Sequence, residues 1–206
     1  MVMDSSPSDP QSGAPTKSSR LTAEDWARAA LAAISDRGVA AVSVEPLAAG
    51  LGATKGSFYW HFSNRQALID AALQLWEKEH TEAVITTIEA EDGPEQRLRR
   101  LGELVVGYSR GDRIEVALLA HADDPAVGPV LRRVTSRRID YVAELYQKLG
   151  LDEAEARQRA VLAVSVYLGH VQLAHTAPDT LPQESAAWKR HVDHIVSALI
   201  VGAAAS

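Results

Sequence analysis

Cysteine is absent from this chain of 206 residues, which excludes disulfides, thiolate nucleophiles and thiolate metal sites. Its absence fits a reducing compartment, and a cytoplasmic location is expected. No apolar run approaches the ~18–20 residues of a membrane span, and residues 1–20 lack the apolar core of a signal peptide. Strand signals and hairpin turns are lacking, as is any repeat of solenoid period. Aromatics are scarce, with two Phe, five Tyr and four Trp. The chain nevertheless has 46% hydrophobic residues, ordinary for a globular protein and enough for one large domain or two small ones.

The few aromatics that exist are unevenly spent. Phe58, Tyr59, Trp60 and Phe62 fall within five positions, directly after Thr54-Lys55-Gly56-Ser57. A core needs no such clustering. A short helix pressed end-on against a polyanion does, because it wants anchors on one face and donors on the other. The net charge of −6 runs against a nucleic-acid partner, but its distribution does not. Residues 17–65 carry Lys17, Arg20, Arg28, Arg37, Lys55 and Arg65 against Glu24, Asp25, Asp36 and Glu45. The cluster therefore lies in a mildly basic segment of an acidic chain, a weak electrostatic footprint that a dimer doubles.

Residues 1–20 hold six serines, three prolines and almost no large apolar group, a composition that reads as disordered and ends in a small basic arm, Lys17-Ser18-Ser19-Arg20. From Leu21 onward the pattern is helical. Thr22 with Asp25 is a helix start, and Trp26, Ala29, Ala30, Ala33 and Ile34 form a stripe that Gly38 ends. Ser43 caps a short second helix with Pro46 in its first turn and Gly52 at its end. Thr54 caps a third helix to about His61, with Phe58 and Phe62 as its core anchors, and Ser63 or Asn64 a fourth towards residue 90. After Gly93-Pro94 come a helix carrying Leu98, Leu101, Leu104, Val105 and Tyr108, and a short one around 116–120. Further helices are expected over 126–149, 152–176 and 185–201.

Two short helices separated by Gly52-Ala53 fit a helix-turn-helix. Ala48 and Ala49 keep the second helix slim where the third crosses it, and Gly52 permits a positive φ. Thr54 satisfies orphan N–H groups at a helix start that suits a phosphate. Lys55 and Ser57 then face the groove and Gly56 allows close approach of the backbone. Tyr59, Trp60 and His61 reach phosphates, sugars or thymine methyls.

Residues 22–68 resemble the DNA-binding domain of the tetracycline repressor (TetR) family of bacterial transcription regulators. The resemblance is carried by the ungapped run Ser43–Phe62 and by Asn64-Arg65-Gln66-Ala67-Leu68. It departs from the family pattern at Pro46, where an acidic residue is common, and at Gly50, where a longer polar one is usual. The resemblance implies an all-α fold and a non-enzymatic regulator. The division is a 1–20 arm, a 21–66 helix-turn-helix domain and a 67–206 helical domain for ligand binding and dimerisation. The candidate DNA surface is Lys17, Arg20, Ser43, Thr54, Lys55, Gly56, Ser57, Tyr59, Trp60, His61 and Arg65. The resemblance further implies a homodimer on a palindromic operator, held by the last two long helices. Their candidate residues are Val164, Leu168, Val171, Trp188, Val192, Ile195, Val196 and Leu199. It also implies release of the operator by a small-molecule effector.

Polar-tipped or aromatic residues on otherwise apolar helices are the effector-site candidates: Trp76, His80, Tyr108, His121, Tyr141, Tyr167 and His170. No cofactor or metal is expected. The alternatives are an architectural DNA binder without effector, and a metal-responsive regulator suggested by Glu77-x-x-His80 or by His191 and His194. Gly52–Ser57 has the wrong order for a phosphate-binding loop, since Lys55 precedes Gly56. Arg132-Arg133 and Arg137-Arg138 read as solvated or as a second basic patch.

Overall fold

The structure is a computed structural model that describes residues 21–109, 111 and 113–200; of Tyr108 it describes the backbone. Ten α-helices are found among the described residues, and no strand. Helix α1 spans Ala23–Arg37, α2 Val44–Gly50, α3 Lys55–Phe58, α4 Arg65–Glu77 and α5 Ala83–Glu89. Then follow α6 Gly93–Tyr108, α7 Arg113–Leu119, α8 Val127–Lys148, α9 Glu153–Thr176 and α10 Ser185–Ile200.

The helix starts obey local chemistry. The Thr22 hydroxyl accepts from the Asp25 N–H at 3.2 Å while the Asp25 carboxylate accepts from the Thr22 N–H at 2.7 Å, a reciprocal capping box. Asn64 caps α4 through the Ala67 N–H, and Asp152 caps α9 through the Glu155 N–H. Ser43 occupies the N-cap position of α2, but its hydroxyl makes no capping hydrogen bond. The helix expected to run from residue 64 towards 90 is continuous but contains a π-turn over Lys78–Glu82. No residue in that stretch breaks a helix, so local propensity gives no sign of it.

Two apolar clusters organise the chain. The first joins α1 to α4 and extends into the larger part of the molecule through Leu118, Val127, Leu131 and Val134. Trp26, Ala30 and Ile34 of α1 and Leu68, Ala72 and Trp76 of α4 are fully buried in it. Burial of each large side chain contributes about 1.5–3 kcal/mol. The indole N–H groups of Trp26 and Trp76 have no hydrogen-bond partner, so it is their bulk that is used. The second cluster packs α8 against α9 and α6 against α10, with Leu98, Val106, Tyr146, Val192 and Val196 inside it. A Cβ at Gly102 of α6 would lie 2.6 Å from a Val196 methyl, which is why these two helices approach so closely.

Helix α1 ends at Gly38 with φ of 78°, a left-handed conformation that suits glycine. The same residue leaves room for the His121 ring, whose carbon and nitrogen would lie 2.7 Å from a Cβ there. His121, expected in the effector site, instead closes the end of α7 against the end of α1, with its Nδ1 2.8 Å from the Ala117 carbonyl. Gly38→Ala is expected to cost about 2–3 kcal/mol by combining a positive φ with this clash. Thermal denaturation checks it: a melting temperature within about 1 °C of the parent chain, where several degrees are expected, would contradict the assignment.

Candidate nucleic-acid interface and the cavity behind it

Helices α2 and α3 are joined by Leu51-Gly52-Ala53, with Gly52 at φ 63°. The Ala53 N–H donates to the Ala48 carbonyl at 2.8 Å. Only Ala48 of the two expected alanines is buried at this crossing; Ala49 is exposed. Thr54 caps α3 by accepting from the Ser57 N–H at 3.1 Å. The helix is shorter than expected: it stops at Phe58, and residues 59–61 continue as a turn closed by His61 and Phe62 N–H groups on the Phe58 carbonyl. The shortening follows from anchoring, since Phe58 and Phe62 both turn inward.

Phe58 is fully buried, with its ring centroid 5.5 Å from that of Trp26 in an edge-to-face contact and 5.7 Å from that of Phe62. Such pairs add about 0.5–1.5 kcal/mol beyond burial. The neighbouring aromatics do the opposite: Tyr59 is 56% and Trp60 80% exposed. An exposed indole leaves a large apolar surface in water, which suits a contact surface better than a core position.

Lys55 is paired with Glu45 of α2 at 2.6 Å, both side chains being exposed. The hydrogen bond from Lys55 holds the Glu45 carboxyl below its usual range, and Glu45 raises the lysine. A phosphate at Lys55 therefore competes with Glu45. Arg65, expected on the same surface, is used differently. Its Nε donates to the Val42 carbonyl at 2.6 Å and its Nη2 to that of Val39 at 2.7 Å, tying α4 to the loop before α2. Gly56, Ser57 and His61 lie on the α3 side of this surface, Gly56 exposed and the other two half-buried. Lys17 and Arg20 lie outside the described residues.

Behind this unit, between α5, α6, α8, α9 and α10, is a cavity of about 830 Å³ counted with its open mouth. Its walls are aliphatic, with Val84, Ile85, Leu98, Leu101, Val105 and Val142 among them. Three of the expected effector-site residues, His80, Tyr141 and Tyr167, line it. Trp76 does not: it is fully buried in the first cluster, with the Arg138 guanidinium 5.5 Å from its ring. His170 does not either, because it faces His191 across α9 and α10 with 3.0 Å between the two Nε2 atoms. The Tyr108 side chain lies outside the described part. The Tyr141 hydroxyl donates to Glu89 at 2.8 Å; burial and that carboxylate push its ionisation well above the usual tyrosine range.

The residues not anticipated are Glu115 and Arg138. Arg138 lines the cavity and holds Glu115 through both carboxylate oxygens, at 3.0 and 3.1 Å; Glu115 is 2% exposed. Arg138 also donates to the Thr81 hydroxyl at 3.1 Å, within the π-turn. The signal for Glu115 was present as one carboxylate in the apolar run 114–120, which requires a buried partner. Two more arginines of the expected basic patch are engaged, Arg133 with Glu77 at 2.5 Å and Arg137 with Glu82 at 3.3 Å. This uses the carboxylate of Glu77-x-x-His80 in an ion pair. No three potential metal ligands converge among the described residues.

Several residues expected at a dimer interface are occupied within the chain. Val171, Val192 and Val196 are buried, Val164, Val196 and Leu199 line the cavity, and α10 packs its apolar stripe on α6. Leu168, Trp188 and Ile195 are half-buried. The apolar surface left open on α9 is instead Val161, Leu162 and Leu173. The apolar residues of that helix are not confined to one face, so periodicity could not say which face would remain free.

The family model described as "Bacterial regulatory proteins, tetR family" matches residues 27–79. Residues 27–79 thus form a segment of the tetR-family type. The whole described fold is shared with solved structures. A transcriptional regulator from Rhodococcus sp. Rha1 is 19% identical with a TM-score of 0.71, covering 90% of this chain and 100% of the other. A TetR transcriptional regulator from Legionella pneumophila is 15% identical with a TM-score of 0.69, over 86% and 96%. AibR, solved in complex with isovaleryl coenzyme A and operator DNA, is 19% identical with a TM-score of 0.62, over 85% and 96%. At these identities the likeness is one of fold. It covers both the helix-turn-helix unit and the helices around the cavity.

The pairing of Lys55 with Glu45 makes the DNA surface testable. Lys55→Ala is expected to weaken operator binding about tenfold and to lower the salt slope by about 1. Glu45→Ala, which removes the competing carboxylate, is expected to tighten binding about two- to fivefold. Fluorescence anisotropy at several salt concentrations measures both; weaker binding by Glu45→Ala would remove Glu45 from this role.

Proposed function

We propose that the protein is a homodimeric, cytoplasmic repressor that leaves a palindromic operator when a small molecule fills the cavity. The observation that carries the DNA side is the split of the aromatic cluster: Phe58 and Phe62 are buried while Tyr59 and Trp60, beside Lys55, stand exposed. Thr54, Gly56, Ser57 and His61 complete the contact surface on α3 and the turn after it. With α3 in the major groove, Tyr59 and Trp60 pack on the sugar-phosphate edge and on thymine methyls.

Dimerisation is supported by Val161, Leu162 and Leu173, which leave apolar surface open along α9, beside the half-buried Trp188 and Ile195 of α10. Two copies related by a two-fold axis cover that face and set the separation of the two α3 helices, as a palindromic operator demands. The cavity favours a ligand-controlled regulator over an architectural DNA binder. For such a ligand to release the operator, it must bind the DNA-free arrangement more tightly.

An electrophoretic mobility assay with the DNA flanking the gene is expected to give specific, salt-sensitive binding, and light scattering a mass of twice 22.2 kDa. Binding indifferent to sequence would favour the architectural reading, and a monomer at micromolar concentration would exclude the dimer. Leu162→Glu, on the open face of α9, is expected to shift the chain to monomer and to abolish high-affinity operator binding.

A further inference from the structure

The polar groups facing the cavity are hydrogen-bond donors set among aliphatic walls. Arg138, His80, Tyr141, Tyr146, Tyr167 and Thr81 line it, and no carboxylate is among the described lining residues. Two of these donors are committed inside the protein, Tyr141 to Glu89 at 2.8 Å and Tyr146 to the Leu199 carbonyl at 2.9 Å. Arg138 and Tyr167 converge on one acceptor, Glu115, which lies behind them on α7; the Tyr167 hydroxyl is 3.4 Å from its Oε2. The permanent charge that the described lining residues present to the cavity is thus the Arg138 guanidinium, sandwiched at 5.5 Å from both the Trp76 and the Tyr167 rings.

We propose that the effector is an apolar molecule ending in a carboxylate, and that this carboxylate displaces Glu115 from Arg138. The proposal rests on reading the cavity as the effector site. A guanidinium fork matches a carboxylate through two parallel hydrogen bonds, while Val84, Leu98, Leu101, Val105 and Val142 accept a hydrocarbon body. A cationic head group would meet Arg138 with like charge. A neutral one would leave the ion pair intact and exert no pull on α7.

Displacement has a consequence because Glu115 is buried. Once the guanidinium is taken, Glu115 loses the bidentate charge partner that fixes it to α8, and its burial becomes more costly. That loss loosens α7 from α8. Helix α7 packs on α1, its end is wedged at Gly38 through His121, and α1 holds the DNA-binding unit through Trp26 and Phe58. The head group therefore selects the ligand and also drives the release.

Decanoate, 1-decanol and decylamine, matched in chain length, separate the head group from the cavity. Calorimetric titration of the full chain is expected to give decanoate at least about tenfold tighter than 1-decanol, the scale of a charge-assisted bidentate contact, and no binding of decylamine. Glu115→Gln removes the competing charge while keeping a hydrogen-bonding side chain, and is expected to tighten decanoate severalfold. The double variant Glu115→Gln with Arg138→Gln removes both charges together and is expected to bind decanoate no better than 1-decanol. Equal binding of decanoate and 1-decanol by the parent chain would overturn the head-group assignment and leave the cavity reading standing. Failure of all three probes to bind would overturn both. A preference for decanoate that survives in the double variant would remove Arg138 from the site.

Discussion

Helix α1 is held on three sides at once, and that constraint joins the two halves of the molecule. Trp26 meets the recognition segment at Phe58, the buried stripe through Ala30 and Ile34 packs on α4, and the C-terminal end at Gly38 receives His121 from α7. A close-packed interface of this kind does not deform continuously; it shifts between discrete arrangements. These contacts form a continuous packed path from α7 to the segment that carries Tyr59 and Trp60.

The buried pair of Arg138 and Glu115 belongs to the same construction. Ion pairs out of water add little net stability compared with an apolar packing of the same volume, yet breaking one by losing a partner costs about 3–5 kcal/mol. Such a pair serves better as a latch than as a brace. Its neighbours suit that role: the π-turn over Lys78–Glu82 turns His80 and Thr81 towards the cavity, and Thr81 and the His80 carbonyl both accept from Arg138. The exposed pair of Lys55 and Glu45 has a different meaning. In water it is worth little, so it holds the lysine in place without preventing a phosphate from taking it.

Much of the architecture was legible residue by residue. Thr22 with Asp25, Thr54, Asn64, Gly38, Gly52 and Gly93-Pro94 are local devices whose chemistry acts within one turn of chain, so they mark helix ends in the sequence as they do in the fold. The division of the aromatic cluster into Phe58 and Phe62 against Tyr59 and Trp60 could likewise be read, since a short amphipathic segment has only two faces. The effector-site candidates fared unevenly. His80, Tyr141 and Tyr167 line the cavity, while Trp76 and His121 are used between helices and His170 pairs with His191. A polar-tipped residue on an apolar helix satisfies a core as readily as a ligand, and only its neighbours from distant helices distinguish the two.

The sequence alone determined the helical class, the helix-turn-helix and the family resemblance, because these depend on periodicity, caps and an ungapped local motif. Tertiary structure decided which apolar faces are used within the chain and which stay open. It buried Val192 and Val196 against α6 and left Val161, Leu162 and Leu173 on the surface of α9, whose apolar residues mark no single face. It also joined Arg138 to Glu115, 23 residues apart and on different helices. The reason is common to all of these: side chains far apart in the chain meet only after the helices pack, and no local pattern specifies the partner.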